Sequence, residues 1–379
     1  MKCQRDKFLL QGKVTYLNGA YMSPLLKKVE KAGIKGIIGK RKPYRIPPED
    51  FFGESETLRR LYASLINVSD PSRIVIIPSV SYGMENAVKN LPKKKGTIIA
   101  AGGQFPSNVY PWRANSAYQI NFIAPPISHN IGSLWNERIL DAIDQDTAAV
   151  SLGQIHWVTG IKFDLQAIRK RTREVGAALI IDGTQSIGAL PFDTEQIQPD
   201  AIITAGYKWL MGPYSLGLAY YGPILDDGLP IENNWINRLG ADDFSSLTNY
   251  QDKFMPGALR YEVGEHSNFI LVPMLIAAIK QLLQWRPEEI QQYCEELFVD
   301  AIEELGSLGY VIETQEARAS HLFGINLPEN IEMDRVKKAL SVHKINISIR
   351  GNVLRISPNV YNDQKDVQRL LRALKEAII

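Results

Sequence analysis

Seven short runs of β-branched and other apolar residues recur along the first two thirds of the chain, at 74–77, 97–101, 120–124, 148–152, 179–181, 201–204 and 216–220. They are nearly continuous rather than alternating, so each strand must be covered on both faces. Helix-like stretches such as 165–175 lie between several of them. Strands of this kind separated by helices predict an α/β fold, a mostly parallel seven-stranded sheet sandwiched between helices. Ligands of such sheets collect at the carboxyl ends of the strands. Asp182 and the residues after Ile77 and Leu152 stand at those ends.

The 379 residues exceed what a single core usually serves, so two domains are expected. The texture changes after Glu262: 269–284 and 287–308 read as long helices, the second stopped by Gly309. Strand-like pieces follow at 321–327, 345–349 and 353–356, then a helix from 362 to the end. The expected division is an N-terminal segment 1–22 near the active site, a large domain 23–262 and a smaller α/β domain 263–379. Within the first part, 14–17 is extended, and Pro24 after Ser23 signals a helix over 24–32. Pro43, Pro47 and Pro48 mark a loop before a helix over 54–66.

A net charge of +2 names no polyanionic partner. The basic clusters at Lys27, Lys28, Lys31 and Lys35, at Lys40-Arg41-Lys42 and at Lys93-Lys94-Lys95 read as solvated faces and loops rather than a nucleic-acid site. Cys3 and Cys294 are the two cysteines, too far apart for a CxxC pair, which suits a reducing cytoplasm. No apolar run is long enough to span a bilayer, and no signal core follows the N-terminus. A cytoplasmic protein without nucleic-acid or membrane partners is expected.

The chemistry gathers around Lys208. It follows an apolar strand and is flanked by Tyr207, Trp209, Leu210 and Met211. A desolvated lysine loses its proton more easily and becomes a nucleophile toward an aldehyde. Asp182 ends a second apolar strand, where a carboxylate can keep a pyridine nitrogen protonated. The pair fits pyridoxal 5'-phosphate (PLP).

The runs Asp182-Gly-Thr-Gln-Ser-Ile-Gly and Tyr207-Lys-Trp-Leu-Met-Gly-Pro-Tyr-Ser-Leu-Gly resemble the class V aminotransferase family of fold-type I PLP enzymes. That family includes cysteine desulfurases, kynureninases and isopenicillin N epimerase-like proteins. The resemblance extends from Tyr16-Leu-Asn-Gly-Ala-Tyr-Met-Ser-Pro to Leu354-Arg-Ile-Ser-Pro-Asn-Val-Tyr-Asn. It implies that Lys208 forms the Schiff base with the cofactor, Asp182 holds the ring nitrogen and Gln185 donates to the ring's phenolic oxygen. Phe105 would stack on the ring, as in kynureninase-like members. Ser81 and the Tyr82 amide would bind the phosphate, at the start of a helix expected near Met84, with Tyr207 as a further contact. Ser81 could equally be a plain N-cap. Ser267 and Asn268 would reach a neighbouring subunit's phosphate in a homodimer.

The same resemblance gives Arg355 the substrate carboxylate, with Arg350 as a second candidate, and lays Asn18 and Ala20 over the substrate. His156 and Trp157 fall on the cofactor side. His156 is a candidate for proton transfer, or a hydrogen-bonded loop histidine. The desulfurase loop with its nucleophilic cysteine has no counterpart in Ile345-Asn-Ile-Ser-Ile-Arg-Gly-Asn-Val-Leu-Arg. The expected activity is transamination of a small amino acid or amine. The alternatives are a lyase or epimerase on the same cofactor, and a non-catalytic binding protein that keeps the fold.

Overall fold

The computed structural model describes residues 1–10, 14–127 and 131–378. Its strands are β1 (Thr15–Tyr16), β2 (Ile74–Ile77), β3 (Gly96–Ala101), β4 (Tyr118–Ile123), β5 (Thr147–Gly153), β6 (Ala178–Asp182), β7 (Ala201–Ala205), β8 (Gly217–Tyr221), β9 (Phe323–Asn326), β10 (Ile345–Asn346), β11 (Ser348–Arg350) and β12 (Val353–Ile356). A seven-stranded sheet takes the order β2-β8-β7-β6-β5-β3-β4. Only β8 runs against the rest, pairing antiparallel with both β2 and β7. The other four pairings are parallel. The carboxyl ends of β2, β3, β5, β6 and β7 therefore point the same way.

The apolar runs make this sheet because both faces are covered. Ile76, Val150, Leu152, Leu179 and Ile181 join one core cluster, while Val75, Ile77, Ala149 and Ile180 join another on the opposite face. Each fully buried aliphatic side chain contributes about 1.5–3 kcal/mol of burial free energy. The helix Leu165–Val175 is delimited by local chemistry: Asp164 accepts the Ala167 N–H at its start, and Gly176 at φ +66° ends it.

Three further strands form a small sheet in the order β11-β12-β9, and β1 pairs parallel to β10. The stretch 345–349, expected as one strand, is two. Residues 345–346 are drawn to the N-terminal strand β1, and 348–350 fold back on β12 around Gly351 at φ +58°. The helix expected over 24–32 instead spans Lys27–Gly39. Its entry is held extended because Leu26 bridges Phe8 and the Ser23 N–H donates to the Tyr207 carbonyl. Among the described residues no helix is long and apolar enough to cross a membrane.

Candidate active site

The five carboxyl ends open into one cavity of about 260 Å³, lined by Ser79, Phe105, Trp157, Asp182, Tyr207 and Lys208 among others. Lys208 sits in the loop between β7 and β8. Because those strands are antiparallel neighbours, the ladder runs to the loop's base, where the Gly206 N–H donates to the Leu216 carbonyl at 2.8 Å. Met211 and Ser215 take left-handed φ values of +53° and +64° in this loop, an unusual strain for side-chain-bearing residues. Gly188, at φ +104°, lies against the Trp209 carbonyl so closely that a Cβ there would overlap it.

Lys208 is 6 % exposed, and burial lowers its amine to about 8. Asp182 pulls the other way, and Arg355 and Arg350 add to the lowering. Burial raises the Asp182 carboxyl above the usual range, against hydrogen bonds from Thr184 and the charge of Lys208. The Thr184 N–H donates to it at 3.0 Å. Such a carboxyl favours a cationic hydrogen-bond donor in the cavity.

Gln185 lies on the cavity wall with its amide orientation fixed. The Trp209 indole N–H can only donate, and it meets the Gln185 Oε1 at 2.9 Å. The Ala20 carbonyl can only accept, and it takes one Nε2 proton at 3.0 Å. One N–H of the same nitrogen remains for a ligand. Phe105 faces Trp157 edge-on, with centroids 5.4 Å apart. The Lys208 amine stands 5.3 Å from the Phe105 ring centre and 5.6 Å from that of Tyr207.

At the other end of the cavity the sequence expectation needs correction. The helix placed near Met84 begins at Val80 and is capped by Ser79, whose hydroxyl accepts the Tyr82 N–H at 3.2 Å. The Tyr82 amide is therefore taken, and its hydroxyl turns away to Glu232 at 2.9 Å. Ser81 reaches the Ser79 hydroxyl at 3.1 Å but does not line the cavity; Ser79 and Val80 do. A helix start with a hydroxyl and free first-turn N–H groups suits a phosphate. The Ser-x-x pattern after Pro78 was the available signal for Ser79.

The other expected residues fall in three places. Trp157 lines the cavity, its indole N–H held by the Gly103 carbonyl at 2.7 Å. Arg355 and Arg350 each place a guanidinium carbon 5.7 Å from the Trp157 ring centre. Burial and the neighbouring Arg350 lower Arg355 to about 10, with Tyr16 opposing. Asn18 and Ala20 are buried and tie the N-terminal segment to the small sheet: Asn18 joins Asn346 and Ser348, and the Ala20 N–H donates to Ser357. His156 is packed away from the cavity against Trp135, its Nδ1 3.0 Å from the Thr159 hydroxyl. Burial lowers it to about 4, so it is neutral near pH 7. Ser267 donates to the Phe51 carbonyl, and the Asn268 side chain accepts the Ile270 and Leu271 N–H groups where the helix Leu271–Trp285 begins; neither lines this cavity. Thr184, Ser215 and Tyr214, which the sequence reading did not single out, complete the wall.

Residues 49–370 match the family model described as Aminotransferase class-V. An uncharacterized aminotransferase of Bacillus subtilis is 23 % identical over 84 % of this chain and 82 % of its own length. A kynureninase of Bacillus cereus is 23 % identical over 99 % of this chain and 91 % of its own. The apo structure of a cysteine desulfurase from Thermococcus onnurineus superimposes with a TM-score of 0.84, 18 % identity, and coverage of 100 % and 98 % of the two chains.

Proposed function

Because the chain belongs to the class-V aminotransferase family, we propose that it uses pyridoxal 5'-phosphate, joined to Lys208, to transaminate a small amino acid. The observation that carries this reading is the buried Lys208 amine, lowered to about 8, sharing one cavity with the Asp182 carboxylate.

The residues present fit the cofactor. The raised Asp182 carboxyl seeks a cationic N–H, Gln185 keeps a free donor, Phe105 offers a flat face, and Ser79 with the helix start offers donors for a phosphate. When bound, pyridoxal phosphate supplies an aldehyde for the substrate amine and a ring that delocalises the electron pair left when a bond at Cα breaks.

The protein's own groups do the rest. Asp182 would hold the cofactor by its ring nitrogen, through a charge-assisted hydrogen bond. Lys208, with an amine that gains and loses a proton near neutral pH, takes the proton from Cα and returns it as general base and acid. Arg355 orients the substrate by its carboxylate. The buried position of Lys208 and Arg355 keeps water from the exchanging proton.

The relatives named above carry three different reactions in their names. Neither cysteine supports a persulfide route: Cys294 is fully buried with its thiol pushed up by burial, and neither lines the cavity. We also propose a homodimer. Tyr21, Met22 and Tyr214 are left exposed next to Tyr207 at the cavity mouth, an apolar rim suited to cover by a second copy.

Purified protein given the cofactor should turn yellow, and borohydride should fix the cofactor on a peptide containing Lys208. The Lys208→Ala variant should do neither. A screen of amino acids should release keto acids; release of ammonia, alanine or sulfide instead would move the reading to a lyase. A wild-type protein that stays colourless would overturn it.

A further inference from the structure

Arg350 and Arg355 are neighbours by strand register. Ser348 pairs with Arg355 across β11 and β12, and Arg350 lies two residues along β11 from Ser348. In a strand, residues two apart share a face, and so do directly paired residues. Both guanidiniums therefore lie on one side of the small sheet, the side that meets Trp157 on the cavity wall.

Neither has a carboxylate partner among the described residues. Arg355 is 1 % exposed and donates to the Trp157 carbonyl at 3.2 Å and the Ser348 hydroxyl at 3.1 Å, while its buried Nε has no partner. Arg350 gives one hydrogen bond, to the Ile349 carbonyl at 3.1 Å. A guanidinium carries five N–H donors, so most of those of Arg350 remain free. Two cations gathered around one indole ring repel each other. The ring's electron-rich face offsets only part of that repulsion. A single carboxylate on Arg355 satisfies one cation and leaves the other.

We propose that Arg350 is a specificity residue: with Arg355 holding the α-carboxylate, Arg350 binds a second anionic group on the side chain of the substrate, so that the enzyme prefers acidic amino acids. This rests on the function proposed above. Arg350 is partly exposed at the hairpin around Gly351, where the turn can present it to a ligand without unburying the core. The alternative, that Arg350 only braces Trp157, predicts no preference for a second charge.

The test uses the cofactor-loaded protein and unreactive acids. Calorimetry should show succinate and glutarate binding about 10–100-fold tighter than propionate and butyrate, the range of a charge-assisted hydrogen bond. Arg350→Gln should bring that ratio close to one, and Arg350→Lys should restore part of it. In turnover, Arg350→Gln should raise the KM of aspartate, glutamate and cysteine sulfinate relative to that of alanine. Cofactor absorbance of each variant reports an intact site. Equal affinities for the mono- and dicarboxylates in the wild type, or a ratio unmoved by Arg350→Gln, would overturn the role of Arg350 while leaving the cofactor assignment standing. Failure of the wild type to take up cofactor would overturn both.

Discussion

Consider the Asp182→Asn variant, studied without cofactor so that Lys208 is a free amine. In the wild type, burial lowers the amine to about 8, and the Asp182 charge acts in the opposite direction. At pH 7.5 about a quarter of Lys208 is then unprotonated, against about 0.1 % for an ordinary lysine, an advantage of roughly 240-fold in reactive amine. Removing the Asp182 charge must lower the amine further, since that charge favours the protonated form. A further drop of about one unit, worth about 1.4 kcal/mol, would raise the unprotonated share at pH 7.5 to about three quarters. Trace labelling with acetic anhydride across pH 6–11, read peptide by peptide by mass spectrometry, measures this for Lys208 alone. The expected midpoint is near 8 in the wild type and lower in Asp182→Asn. A wild-type midpoint near that of ordinary lysine, or an upward shift in the variant, would refute the electrostatic reasoning.

Ser79→Ala removes the cap of the helix Val80–Asn90 and should cost about 1 kcal/mol in urea unfolding, with weaker cofactor retention on dialysis. Trp209→Phe leaves the buried Gln185 Oε1 without its donor and should cost about 1–3 kcal/mol by the same measurement. Arg59→Met strands Glu262, a carboxyl that burial pushes up but that Arg59 and His266 together hold below its ordinary value. The loss should be about 3–5 kcal/mol near pH 7. Since the folded carboxyl of the wild type is depressed, its stabilisation is present above the ordinary carboxylate range and fades as pH falls through the depressed value; acid titration of the variant should lack that decline.

The sheet was legible because its strands are apolar on both faces, and 74–77, 165–175 and 353–356 were read with the bounds the structure gives. Lys208 and Asp182 were legible because strand-end charges after such runs have few other uses. Residues whose positions depend on tertiary contact were not. The true cap of the first cavity helix was missed because Ser79 and Ser81 look alike in sequence, and only the Tyr82 N–H decides between them. The helix Lys27–Gly39 starts late because its first residues are held by Phe8 and Tyr207, one upstream and the other far along the chain. The packing of His156 against Trp135 joins segments 21 residues apart, a contact no local pattern announces.

Ala20 joins two parts of the site through its backbone. Its carbonyl is gripped by Gln185 and its N–H by Ser357, which stands two positions beyond Arg355. One peptide unit on either side of a small residue thus works as a tie rod between the Gln185 side of the cavity and the segment that follows Arg355. A molecule that drew Gln185 inward would pull on the same tie rod and so on the backbone beside Arg355. The methyl group of Ala20, 1 % exposed, leaves that linkage no slack for a bulkier side chain.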